Sequence, residues 1–146
     1  MINILGIDPG KTTGLVVLLI DEEKKKATLD KAWTSTDLTG IEYNDDLKLA
    51  DYIVVEDFKV RPGKAQGGSF DWSPMETPKL IGSIQTLAAL LGKKVILQQP
   101  TIKPMGYGFA RMLYKKGKPG THVQDAAAHA MYYAVRHKLA LPGKLL

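Results

Sequence analysis

The sequence has no cysteine, no long apolar run and almost no acid in its last third. The first absence excludes a disulfide framework and any metal held by thiolates. The second excludes a membrane-spanning helix, because the apolar stretches at residues 2–7 and 15–20 fall far short of the roughly 20 residues that a span needs. No basic residue precedes the first of these stretches, and it runs into Asp8, so no signal peptide is read there and a cytoplasmic protein is expected. The third absence is the most informative. Residues 93–146 hold 10 Lys+Arg and a single acid, Asp125, for a net +9, whereas residues 1–58 hold 6 Lys and 12 Asp+Glu, for a net −6. A basic half segregated in this way implies an electrostatic face for a polyanion. A lone carboxylate inside that field is not there for solubility. At 146 residues the chain is read as one domain, 1–146. A domain of that size buries about 68–70% of its unfolded surface, enough for a full core.

What is present begins with residues 1–20. An apolar run ends on Asp8, the turn Pro9-Gly10 follows, and a second apolar run starts at Leu15 with no helical signal between. Short apolar runs bounded by Pro and Gly read as buried strands, so this is strand, turn, strand with a carboxylate at the mouth of the turn. Such a charge is costly unless it is paired or holds a cation, the plainer role being to accept hydrogen bonds from the turn amides. A third strand is expected over residues 27–34, and a short helix ending near Ala50. Residues 52–58, Tyr-Ile-Val-Val-Glu-Asp-Phe, form a fourth strand. Strand side chains alternate, so Glu56 and Asp57 point to opposite faces, and Glu56 is the candidate that accompanies Asp8.

Residues 59–74 are rich in Gly and Pro and carry Lys59, Arg61 and Lys64 together with Phe70 and Trp72. A long loop of this kind in a compact domain is usually functional. Basic residues among aromatics suit nucleic acid, although Phe70 and Trp72 equally suit packing or a subunit interface. Thr77-Pro78 is read as N-cap and first residue of a helix whose apolar face is Leu80, Ile84, Leu87, Ala88 and Leu91, closed by Gly92. A fifth strand is expected over residues 94–98. A helix over 101–114 should carry Met105, Phe109, Met112 and Leu113 on one side. Thr121-x-x-Gln124 reads as a capping box opening the last helix. There His122, Asp125 and His129 share one face, and Ala126, Ala127, Ala130 and Ala134 form a small-residue stripe that permits close approach to a sheet. His129 and His137 read as ordinary core or surface histidines.

Asp8, Glu56 and Asp125 thus come from three separate elements. Carboxylates that converge repel one another unless cations hold them, and an all-oxygen set selects hard cations such as Mg²⁺ or Mn²⁺. Two such ions, about 3.5–4 Å apart, activate a water and stabilise the leaving oxygen of a phosphodiester. His122 would ligate an ion or assist proton transfer.

Four motifs in this order, Ile4-Leu-Gly-Ile-Asp8-Pro-Gly10, Val55-Glu56, Lys118-Pro-x-x-His122 and His122-x-x-Asp125-Ala-Ala, resemble the RuvC-type Holliday junction resolvases of the ribonuclease H-like superfamily, in a short phage-encoded form. The resemblance implies an α/β fold, a ribonuclease H-like five-stranded mixed sheet flanked by helices. It implies a metal-dependent endonuclease that resolves four-way junctions, with Asp8, Glu56, His122 and Asp125 as catalytic metal ligands for two Mg²⁺ or Mn²⁺ ions. It implies a homodimer that nicks branched DNA symmetrically, located in the host cytoplasm. Lys103 and Lys118 resemble phosphate-binding residues near the site. Lys11 joins Lys59, Arg61 and Lys64 as a DNA contact, and Phe58, Phe70 or Trp72 would wedge the junction centre.

Other readings are weaker. Gly6-x-x-x-Gly10-Lys11-Thr12 has three residues between its glycines where a phosphate-binding loop needs four, and a strand follows instead of a helix. An actin-like kinase needs two such domains. A YqgF-type ribonuclease of the same superfamily and a non-catalytic binder of branched nucleic acid stay open. The intact acidic set argues against the binder.

Overall fold

The computed structural model describes residues 1–58, 75–114 and 120–142. Its chain runs β1 (Ile2–Asp8), β2 (Thr13–Asp21), β3 (Lys26–Ser35), α1 (Asn44–Leu49), β4 (Tyr52–Glu56), α2 (Glu76–Leu90), β5 (Val95–Gln98), α3 (Lys103–Ala110) and α4 (Thr121–Arg136). The strands form one sheet in the order β3-β2-β1-β4-β5. The first hairpins are antiparallel, while β1, β4 and β5 run parallel. This is the five-stranded mixed sheet flanked by helices that the sequence leads one to expect. Among the described residues no helix is long and apolar enough to cross a membrane.

Alternation of strand side chains divides the sheet into two faces. Leu5, Ile7, Leu15, Val17, Ile53 and Val55 point to the side covered by α1 and α2, where Tyr43, Leu47, Leu80 and Ile84 fill the core. Ile4, Val16, Leu18 and Val54 point to the other side, against the alanines of α4 and Ala110 of α3. On this second face helix and sheet nearly touch. A Cβ added at Gly6 would lie 2.5 Å from the carbonyl oxygen of Ala126, and one at Gly14 would overlap that of His122. A Cβ at Gly106 of α3 would overlap the carbonyl oxygen of Ala128. Glycine is required at these positions because a backbone occupies the space of a side chain. The small-residue stripe of α4 makes the matching surface: Ala126, Ala127, Ala130 and Ala134 are all fully buried.

Several boundaries differ from expectation. β4 stops at Glu56, and Phe58 lies beyond it. The N-cap of α2 is Met75, and Thr77 is a buried residue of the first turn, so burial and not capping explains it. Gly92 does close that helix, at φ +73, a left-handed conformation open to glycine. The region after β5 is divided into a 3₁₀ turn at Pro100–Ile102, then α3, then a second 3₁₀ turn at Arg111–Leu113. Met105 and Met112 of this region are exposed, because Gly106 and Ala110 are what face α4. Thr121 is not the N-cap of α4. Gly120 holds the N-cap position in extended conformation and its carbonyl accepts from the amide of Gln124, so Thr121 is already inside the helix.

Candidate active site

The parity that places Gly6 and Val54 against α4 carries on to the strand ends. Gly14 of β2 is paired with Asp8 of β1. Asp8 and Glu56 lie one step past the parallel pair Ile7–Val55, and Glu56 is paired with Gln98 of β5. Gly14, Asp8, Glu56 and Gln98 therefore form a row across four strands, all on the α4 face. Helix α4 crosses that row. The carbonyl of His122 rests on Gly14, Asp125 faces the two strand-end acids, and the carbonyl of His129 accepts a 2.9 Å hydrogen bond from Gln98 Nε2. Gly14 is thus the reason the start of α4 reaches Asp8 at all. The turn between them is tied by Thr13, whose hydroxyl donates to the carbonyl of Gly10 at 3.2 Å.

Asp8, Glu56 and Asp125 each offer a carboxylate oxygen, and these oxygens lie within 4.8 Å of one another. Among the described residues His122 is not part of that set. Its ring is half exposed at the rim, with Nδ1 3.8 Å from Asp8 Oδ2. Asp57 turns away as alternation requires, accepting from Gln99 Nε2 at 3.1 Å. Lys103, at the start of α3, points its ammonium into the acids, 3.2 Å from Glu56 Oε1 and 3.5 Å from Asp125 Oδ2. It is the local counter-charge. Lys11 is exposed in the β1–β2 turn. Lys59, Arg61, Lys64, Phe70, Trp72 and Lys118 lie outside the described residues.

Two further residues join the site that the sequence alone did not single out for it. Tyr107, one turn beyond Lys103 on α3, donates its hydroxyl to Asp125 Oδ1. His129 is fully buried, with Nε2 3.5 Å from Glu56 Oε2. The i, i+4 spacing of Lys103 and Tyr107 and the i, i+7 spacing of His122 and His129 were the signals that would have placed each on the site-facing side of its helix.

The electrostatics are those of a crowded acidic centre. Asp8 is pushed up to about 9, first by burial and then by its contact with Glu56 and the charges of Glu56 and Asp125, against a smaller pull from Lys103. For Glu56 burial works upward as well, yet His129, Asp8 and Lys103 outweigh it and hold the carboxyl at about 2. Without a cation, then, Asp8 keeps a proton and Glu56 is the ionised partner. Lys103 is raised above its ordinary value: burial opposes this, and Glu56, Asp125 and Asp8 overcome it. A proton on Asp8 and an ammonium drawn into the acids do the work a bound cation would do. The donor set fits a hard divalent metal: three converging carboxylates and no sulfur.

No protein-family model matches the chain, and no curated protein sequence matches it. Solved structures do. Thermus thermophilus RuvC in complex with a Holliday junction substrate matches with a TM-score of 0.69 at 17% identity, covering 99% of this chain and 100% of that one. The Fowlpox virus resolvase in complex with substrate Holliday junction DNA matches at 0.63 and 13%, covering 93% and 99%. The yeast mitochondrial Holliday junction resolvase matches at 0.57 and 14%, covering 93% and 78%. The chain has the ribonuclease H-like fold of RuvC and other Holliday junction resolvases.

Proposed function

We propose that this chain, as a single nuclease domain over residues 1–146, is a metal-dependent endonuclease that resolves four-way DNA junctions. The observation that carries the reading is the row of strand ends on which Asp8, Glu56 and Asp125 converge, set in a fold whose solved examples include resolvases in complex with Holliday junction DNA. Asp8, Glu56 and Asp125, with His122 at the rim, would hold two Mg²⁺ or Mn²⁺ ions. Divalent cations supply an activated water and neutralise the charge that develops on the leaving oxygen.

The chain's own residues do the rest. Asp8 would release its proton to hold a cation beside Glu56 and Asp125. Lys103, which pairs with Glu56 and Asp125 here, would then be free to pair with the substrate phosphate. The basic stretch 93–146, which includes Lys118, together with Lys11, Lys59, Arg61 and Lys64, would hold the phosphate backbone. Phe70 and Trp72 would stack on bases at the junction centre. Symmetric nicking requires two sites, hence a homodimer acting on branched DNA.

The test is a substrate panel of labelled four-way junction, linear duplex, single strand and RNA hairpin, each with Mg²⁺, Mn²⁺ or EDTA. Paired symmetric nicks confined to the junction and lost in EDTA are expected. Cutting of RNA with the junction untouched would move the chain to the ribonucleases of this fold. Metal-independent binding with no cutting would make it a binder.

A further inference from the structure

His129 sits in the middle of α4 with no solvent exposure, and among the described residues neither ring nitrogen has a hydrogen-bond partner. Buried polar nitrogens left unpaired are costly, so a donor or acceptor use for one of them is expected. Among the described residues the acid paired with the ring is Glu56. Its Oε2 is also buried and without a donor, and it faces His129 Nε2 at 3.5 Å. The two unsatisfied atoms are thus neighbours in the interior. The other oxygen of the same carboxylate, Oε1, faces outward to the Lys103 ammonium. Glu56 is therefore divided, with one oxygen turned to the interior and one to the position where positive charge gathers.

We infer that His129 is a positioning residue, which holds its proton on Nε2 and donates it to Glu56 Oε2, fixing the carboxylate so that Oε1 is presented to the bound cation. The tautomer follows from elementary electrostatics. A proton on Nδ1 would leave that N–H with nothing to accept it and would set the bare Nε2 lone pair against a carboxylate. A proton on Nε2 removes both penalties at once. The remaining gap, 3.5 Å against the usual 2.7–3.2 Å for N–H···O, closes with a shift of about half an ångström. The ring is held for this purpose. The His129 backbone carbonyl accepts from Gln98, the strand neighbour of Glu56, so the helix is pinned to the sheet at the residue that carries the imidazole. A metal-ligating carboxylate backed by a buried hydrogen-bond donor is a common way to set ligand orientation, and loss of such a partner weakens metal binding by roughly 10–100-fold.

The inference rests on the reading of Glu56 as a metal ligand, and its test is chosen to fail separately from that reading. Long-range ¹H–¹⁵N NMR on the metal-free wild-type protein reports which nitrogen of His129 is protonated. A proton on Nε2, with or without one on Nδ1, is the expected result; a bare Nε2 overturns the proposal. Mn²⁺ binding, followed by the loss of the free-ion electron paramagnetic resonance signal, then compares His129→Leu with His129→Gln. Leu keeps the volume and removes the donor; Gln restores a donor at the reach of Nε2. Leu should weaken Mn²⁺ binding about 10–100-fold, and Gln should recover most of it. Wild-type affinity in a folded His129→Leu, or a folded His129→Gln as weak as Leu, would overturn the role. Should Leu fail to fold, the tautomer and the Gln variant still decide. A wild-type protein that binds Mn²⁺ but cuts no junction would sink the nuclease reading and leave this inference intact. One that binds no Mn²⁺ would sink the ligand reading, with the tautomer still deciding whether His129 donates to Glu56.

Discussion

The two faces of the sheet solve different problems. Against α1 and α2 the sheet presents Leu5, Ile7, Leu15 and Val17 to Leu47, Leu80 and Ile84, with the ring of Tyr43 filling the middle. Large side chains keep helix and strand well apart, and burial of each aliphatic group contributes about 1.5–3 kcal/mol. Against α4 the contact residues are Gly6, Gly14, Ala126 and Ala130, and backbone meets backbone. That face gives up side-chain area for proximity. Proximity is what the candidate site requires, because Asp125 is short and reaches the ends of β1 and β4 only if its helix lies almost on the strands. Both faces bury a hydrophobic core, and the α4 face adds the close approach that brings the acids together.

The sharpest way to separate the two is to damage each in turn. Ile84→Ala, in the middle of the large-residue face, should cost about 2–5 kcal/mol in a denaturant melt and leave metal affinity per folded molecule unchanged. Gly14→Ala should show the reverse balance. Its methyl group would overlap the carbonyl of His122, so α4 must move away from β2. A cost of about 1–3 kcal/mol is expected, with cleavage falling about 100-fold as Asp125 is displaced from Asp8. Equal loss of metal affinity in both variants would dissolve the distinction.

The acids should also give the α4 face a pH signature that the other face lacks. Asp8 titrates near 3.8 when unfolded and at about 9 when folded, so between these values the folded chain holds a proton that the unfolded chain has released. Its contribution is complete below pH 3.8 and is lost as pH rises toward 9. Glu56 works the other way, its ordinary 4.5 being lowered to about 2, so its contribution is present above 4.5 and is lost as pH falls toward 2. Thermal melts in EDTA should therefore show stability declining above about pH 4.5, with a slope of up to about 1.4 kcal/mol per pH unit. Mg²⁺ or Asp8→Asn should flatten that decline. Metal binding at neutral pH should release a proton, measurable by calorimetry in buffers of different ionisation enthalpy.

The smallest effect is expected at the rim. Tyr107→Phe removes one hydroxyl that donates to Asp125 from a partly exposed position. Mg²⁺ affinity should fall by less than about tenfold, toward the low end for a ligand's outer partner, with no change in the melt.

Much of this division was legible in the sequence. The apolar runs ending at Asp8 and Glu56 marked two strand ends, and alternation alone chose Glu56 over Asp57. The alanine stripe of α4 announced a close approach. Gly6 and Gly14 carried the complementary half of that message, since glycine inside a strand marks a backbone neighbour. Helix starts were less legible. Thr77-Pro78 and Thr121-x-x-Gln124 have capping composition, but Met75 and Gly120 hold the cap positions, since capping composition is a weak prior for where a helix begins. Least legible were the residues that act through a neighbour. His129 reads as an ordinary core histidine until β4 places Glu56 beside it. Lys103 reads as a phosphate contact until α3 folds it onto Glu56 and Asp125.

The most direct test of the account compares wild type with Asp8→Asn on one labelled four-way junction, measuring binding in EDTA and cleavage in Mg²⁺ side by side. Asp8→Asn keeps the shape of the strand end and removes one carboxylate from the set. Junction affinity within about twofold of wild type, with cleavage lowered by about a thousandfold or more, is the predicted result. Cleavage surviving at wild-type rate in a folded Asp8→Asn protein would contradict the central claim that the acids gathered under α4 are the catalytic metal ligands.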